Sequence, residues 1–156
     1  MNVFISYGGV ADQVPALRLQ ALGAVNGLTV YVPPAYTRQG VPTLLDPETL
    51  QRLREADVVL GVVGAGLTDA CQKELNAGLT LQRKMVVMSH PEFAPQFQPS
   101  LGWNVVVIDP VDPGGAEIEI LKHLKTLDAR QNAEKALVAL CMLALGLLIL
   151  ATADRS

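Results

Sequence analysis

One carboxylate in this chain stands where helical periodicity asks for an apolar side chain. Glu74 lies in the segment Thr68-Asp69-Ala70-Cys71-Gln72-Lys73-Glu74-Leu75-Asn76-Ala77-Gly78-Leu79-Thr80-Leu81-Gln82-Arg83. Wound at about 100° per residue, Asp69, Gln72, Lys73, Asn76, Thr80 and Arg83 form one stripe. Ala70, Cys71, Ala77, Gly78 and Leu81 form the opposite one. Glu74 falls near the middle of the apolar stripe, roughly 150° from the centre of the polar face. A carboxylate so placed sheds its hydration, which costs several kcal/mol unless something compensates. Its small neighbours leave room beside it, as in the wall of a pocket. The alternative is a structural carboxylate, bonded to loop amides or paired with an arginine. Lys73 and Arg83 point elsewhere on the same helix, so such a partner would be non-local.

Other reactive groups are sparse. His90 precedes a proline in a loop and His123 lies among lysines, without cysteines at metal-ligand spacing. No metal site is expected. Cys71 belongs to the globular part and Cys141 to an apolar tail, so an internal disulfide is not expected and a reducing compartment fits. Two glycine loops, Ser6-Tyr7-Gly8-Gly9 and Gly64-Ala65-Gly66, suit either tight turns or phosphate contacts. Neither forms a dinucleotide or P-loop fingerprint.

The elements that would position these residues alternate. Strand-like runs fall at Asn2 to Ser6, Leu28 to Val32, Val58 to Val63, Lys84 to Met88 and Asn104 to Ile108. The third carries no polar residue, as expected of a strand covered on both faces. A helix after the first strand has a cap near Asp12, places Val14, Leu17, Ala21, Leu22 and Val25 on one side, and ends at Asn26-Gly27. Asp46-Pro47 opens a second helix. The last helix of the body follows Pro113-Gly114-Gly115, with Ile118, Leu121 and Leu124 inward. This alternation predicts an α/β fold with a flavodoxin-like, five-stranded parallel sheet in the order 2-1-3-4-5. Its switch point lies between strands one and three, and ligands bind beyond the carboxyl ends there. Both glycine loops and the Glu74 helix converge on that crevice.

The chain has 156 residues, half of them hydrophobic, and a net charge of −3 without a basic block. That suffices for one core and excludes a compositional case for nucleic-acid binding. No basic stretch followed by an apolar core marks a signal peptide. Ala136 to Ala153 is uncharged throughout. As a helix it would run roughly 27 Å, enough for a bilayer core. Lys122, Lys125, Arg130 and Lys135 precede it, so the positive-inside rule places the globular part in the cytoplasm. A buried helix in an oligomer interface is the alternative. The expected organisation is a domain over 1–127, a linker over 128–135 and a transmembrane helix over 136–153.

In four segments the chain resembles a TIR (Toll/interleukin receptor) domain. Phe4-Ile5-Ser6-Tyr7 matches the family's opening strand. Arg38-Gln39-Gly40-Val41-Pro42 sits where the family has its long loop after the second strand. Ala56 to Val63 is similar to the third strand, and Cys71-Gln72-Lys73-Glu74-Leu75 to the C-x-x-E-L segment. The likeness covers roughly residues 1 to 127. The chain departs from the family at Ala70, where a tryptophan is frequent, at Gly8-Gly9, and in lacking a C-terminal Phe-Trp motif.

The resemblance implies cleavage of NAD+ at the nicotinamide–ribose bond, with Glu74 catalytic and NAD+ a substrate rather than a cofactor. Ser6, Tyr7, Gly8, Arg38, Gly64, Ala70 and Cys71 are the expected substrate-binding positions. Tyr7 would stack on a ring or pack on a loop. Arg38 would reach a phosphate or a neighbouring subunit, or remain an exposed loop arginine. Self-association through the TIR domain, a membrane tether and a role in immune or antiphage signalling are further implications. Two other functions stay open: a non-catalytic adaptor acting through TIR–TIR contacts, and a nucleoside-processing enzyme such as a deoxyribosyltransferase.

Overall fold

A computed structural model of the chain describes residues 1–38, 44–97 and 102–153, without the side chains of 113 and 143–153. Five parallel strands form one sheet in the order β2-β1-β3-β4-β5, as the alternation predicts. They are β1 (Asn2–Tyr7), β2 (Thr29–Tyr31), β3 (Val58–Val63), β4 (Lys84–Ser89) and β5 (Trp103–Val107). The helices are α1 (Val10–Val25), α2 (Pro47–Glu55), α3 (Asp69–Thr80) and α4 (Pro113–Ala153). All six residues of β3 are buried, which is why it tolerates no polar side chain. Phe4 pairs in register with Val59, and Val59 with Met85. On that face these residues pack with Leu53 of α2 and with Cys71 and Leu75 of α3.

The helix boundaries follow their caps. Asp46 accepts a hydrogen bond from the Thr49 amide at 3.1 Å and is followed by Pro47, opening α2. The Thr68 hydroxyl accepts from the Cys71 amide at 3.4 Å, opening α3. Two glycines let α3 lie close against the sheet. A Cβ at Gly61 would stand 3.2 Å from Leu75 Cδ2, and one at Gly78 would stand 3.0 Å from Val59 Cγ2.

The inward face of α1 differs from the expected one. Val14, Leu17, Ala21, Leu22 and Val25 are exposed, while Asp12, Ala16, Leu19 and Gly23 are buried. The cause is proximity. A Cβ at Gly23 would meet Val30 Cγ2 at 2.6 Å, so the helix turns toward the sheet the face on which glycine stands at the point of closest approach. In the first turns of α4, Ile118 also points outward and is 69% exposed, whereas Ala116, Glu117 and Ile120 are buried. Glu117 is held there by Arg18 of α1 at 3.0 Å.

The chain divides into two compact units, Met1–Lys122 and His123–Ser156. Helix α4 runs through 128–135, the segment expected to be a linker. In the second unit Leu137, Val138, Leu140 and Met142 are exposed. Among the described residues no helix is long and apolar enough to cross a membrane. Most of the expected span, the side chains of 143–153, lies outside the described residues.

Candidate active site

Glu74 lies in the second turn of α3 and is 2% exposed. Its partners come from two distant segments. Ser6, near the end of β1, donates its hydroxyl proton to Oε2 at 2.5 Å, a length typical of a charge-assisted bond. Cys71 Sγ lies 3.2 Å from the same hydroxyl oxygen. The single Ser6 hydroxyl thus faces both the Glu74 carboxylate and the Cys71 sulfur. Burial pushes the Cys71 thiol up to about 11, helped by the Glu74 charge and opposed by the Ser6 bond. Cys71 is therefore protonated at neutral pH and not a nucleophile.

The third partner is Arg38, the last residue of a single 3-10 turn at Ala35–Arg38. It donates from Nε to Oε1 at 3.0 Å and from Nη2 to Oε2 at 3.2 Å, the two-pronged geometry that guanidinium and carboxylate favour. Its side chain is 8% exposed. The guanidinium also lies over the Tyr7 ring, 3.8 Å from the centroid. Tyr7 in turn donates to the Pro33 carbonyl at 3.2 Å. This places Tyr7 against a loop, and Arg38 is the non-local arginine partner that is one of the alternatives for Glu74. Burial raises the Glu74 pKa, and the charge and bonds of Arg38 together with Ser6 pull it partway back. The positions 39–42, expected to continue this loop, lie outside the described residues.

A second buried carboxylate builds the floor of the crevice. Asp12 is 3% exposed and accepts four backbone bonds: from Gly9 at 3.1 Å, from Gly64 at 2.9 Å, and from Ala65 at 3.1 and 3.2 Å. It ties the loop after β1 to the loop after β3. Gly8 donates to the Val62 carbonyl at 2.8 Å, and a Cβ on it would stand 1.9 Å from the Gly66 carbonyl oxygen. No side chain fits there. A Cβ at Gly64 would stand 2.7 Å from Asp12 Oδ1. These glycines thus serve close approach of two loops.

A cavity of about 430 Å³ opens at the switch point between β1 and β3. Of the expected binding positions, Tyr7, Gly8, Arg38 and Ala70 line it. Ser6, Cys71 and Glu74 are not on its wall, and neither is Gly64, which is spent on Asp12. Arg38 joins the two sets: it lines the cavity and holds Glu74. Gln13, Thr68 and Asp69 also line the cavity and were not singled out by the sequence. Among the described residues no cluster of His, Cys, Asp and Glu is arranged to hold a metal ion.

No protein-family model and no curated protein matches the chain. Solved structures share the fold. The sugar isomerase domain of an RpiR transcription factor from Sphaerobacter thermophilus has a TM-score of 0.55 at 16% identity, over 83% of this chain and 72% of that one. A CMP N-glycosidase from Clostridium botulinum has a TM-score of 0.49 at 12% identity, over 81% and 99%. A 2-deoxyribosyltransferase from Bacillus psychrosaccharolyticus has 0.45 at 17%, over 57% and 72%. At these identities the likeness is one of fold alone, an α/β protein built on a parallel sheet.

Proposed function

We propose that this site cleaves the bond between nicotinamide and ribose in NAD+, by hydrolysis or cyclisation. The observation that carries the reading is Glu74: a buried carboxylate, oriented by Ser6, next to a cavity at the switch point of the sheet. When the C–N bond breaks, its electron pair leaves with nicotinamide, which departs neutral and needs no general acid. The ribosyl centre becomes cationic, and a fixed carboxylate in a dry site stabilises that charge. Water then adds to the anomeric carbon and releases a proton, or an atom of the same molecule adds and closes a ring. The four TIR-like segments support NAD+ as the substrate and a place in immune or antiphage signalling.

The test is release of free nicotinamide from NAD+ by full-length protein, both dispersed and clustered. Glu74→Gln is expected to lower turnover by about 100-fold or more. Equal turnover by the variant, or none by the clustered parent, would sink the reading.

The pair with Arg38 favours a second reading. A carboxylate with its oxygens satisfied and 2% exposure also suits a domain that only assembles. That reading, an adaptor working through TIR–TIR contacts, predicts self-association without nicotinamide release. In both cases the uncharged tail would tether the domain to a membrane from the cytoplasmic side, raising its local concentration and promoting self-association.

A further inference from the structure

Arg38 poses a problem for any substrate of Glu74. The guanidinium occupies both carboxylate oxygens and forms the cavity wall in front of them. A sugar that approaches Glu74 must take Arg38's place. A guanidinium with 8% exposure cannot simply be left without an anion, because an uncompensated buried charge is strongly destabilising. The protein offers little in exchange. Asp12 is committed to the amides of Gly9, Gly64 and Ala65. Asp69 is the other carboxylate at the cavity, and it sits on the exposed side of α3. The missing anion must arrive with the substrate.

We propose that Arg38 exchanges partners, leaving Glu74 for the phosphate of a 5′-phosphorylated ribosyl substrate. The site then takes nucleotides and refuses the corresponding nucleosides. The inference rests on the glycosidic-cleavage reading above. It adds that the phosphate group uncovers the carboxylate as well as adding affinity. Guanidinium and phosphate match in the same two-pronged way as guanidinium and carboxylate, so the exchange conserves the charged bonds of Arg38, while Glu74 keeps its bond from Ser6 and turns to the cationic ribosyl centre. A nucleoside, which carries no anionic group, offers no such exchange.

Two measurements on the full-length protein test it. With 15N-labelled arginine, the Arg38 Nε–H resonance is assigned by its loss in Arg38→Lys. Ribose 5-phosphate is expected to shift that resonance, and ribose at the same concentration is expected to leave it unmoved. Equal shifts, or none, would overturn the exchange whether or not the protein is an enzyme. In turnover, nicotinamide mononucleotide is expected to exceed nicotinamide riboside by about tenfold or more in kcat/KM. Arg38→Gln should collapse that preference, while Arg38→Lys, which keeps the charge, should retain part of it. Circular dichroism of both variants verifies that they fold. Nicotinamide release from both substrates at equal rates would refute the exchange and leave the cleavage reading standing. Release from neither, with the resonance shift intact, would refute cleavage and keep the exchange.

Discussion

At the scale of single residues, Glu74 links site and stability. Burial raises its pKa above the ordinary value, so the folded state holds the proton more tightly than the unfolded chain does. Its contribution is therefore complete below the ordinary glutamate range, near 4.5, and drains away as pH rises through the raised folded value. Glu74→Gln matches the neutral form in shape and does not titrate. Its cost, an Arg38 without an ionised partner, applies to the variant at every pH. Relative to this variant the parent protein should lose stability as pH rises from 4.5 toward neutrality, read as a fall in the difference between their urea midpoints. A difference that stays constant across that range would show that the native site does not raise the pKa. Asp12 has a contrasting role. Its partners are backbone amides from the loop after β3, and every residue but proline carries such an amide. Nothing in the letters at 64 and 65 marks them as ligands, so Asp12 reads from the sequence only as a helix cap. Glu74 was legible because its chemistry violates the period of its own helix. Arg38 reads from the sequence as an arginine for a phosphate or a neighbouring subunit, or as an exposed one; its pairing with Glu74 spans 36 residues of chain and leaves no mark in either local pattern.

At the scale of elements, α3 and α1 show when helical periodicity informs and when it misleads. In α3 the apolar stripe faces the sheet, and the buried set Cys71, Glu74, Leu75 and Gly78 follows it. In α1 the stripe of larger apolar residues faces water. A periodic pattern locates a face, but the direction of that face depends on how near the helix lies to the sheet. Where the approach is close, packing selects Ala16 and Gly23, and volume outranks hydrophobicity. The two assignments make opposite predictions. Val25→Lys, at a side chain 86% exposed, should change stability by no more than about 0.5 kcal/mol. Gly23→Val should cost about 1–3 kcal/mol or more, by overpacking against Val30. Chemical denaturation of the two variants decides between the faces; a destabilised Val25→Lys beside a neutral Gly23→Val would reverse the assignment. The sheet order was more accessible, because β3's unbroken apolar run and the βα alternation leave few arrangements open.

At the scale of the whole molecule, the uncharged segment 136–153 of the second unit calls for an apolar cover. Leu137, Val138, Leu140 and Met142 are each more than half exposed in a chain taken alone. If the segment 136–153 enters a bilayer, full-length protein should float with liposomes in a density gradient and stay with them in high salt. Salt screens surface charge but does not weaken apolar insertion. Protein that remains in the bottom fraction but elutes as an oligomer would assign the segment to a subunit interface instead.

The interlocked glycines at the crevice carry a last consequence, for how such a site can diversify. Gly8 lies against the Gly66 carbonyl and Gly64 against the Asp12 carboxylate, so the two loops behind the cavity interlock, and a side chain at either glycine has to displace its neighbour. The rim is different: among the described residues, Val10, Gln13, Ala35 and Asp69 line the cavity with side chains that lie outside the buried core. Mutation can therefore reshape what the cavity admits while the ground beneath it stays the same. Variation in ligand preference should accumulate at those four positions, and loss of folding at the glycines.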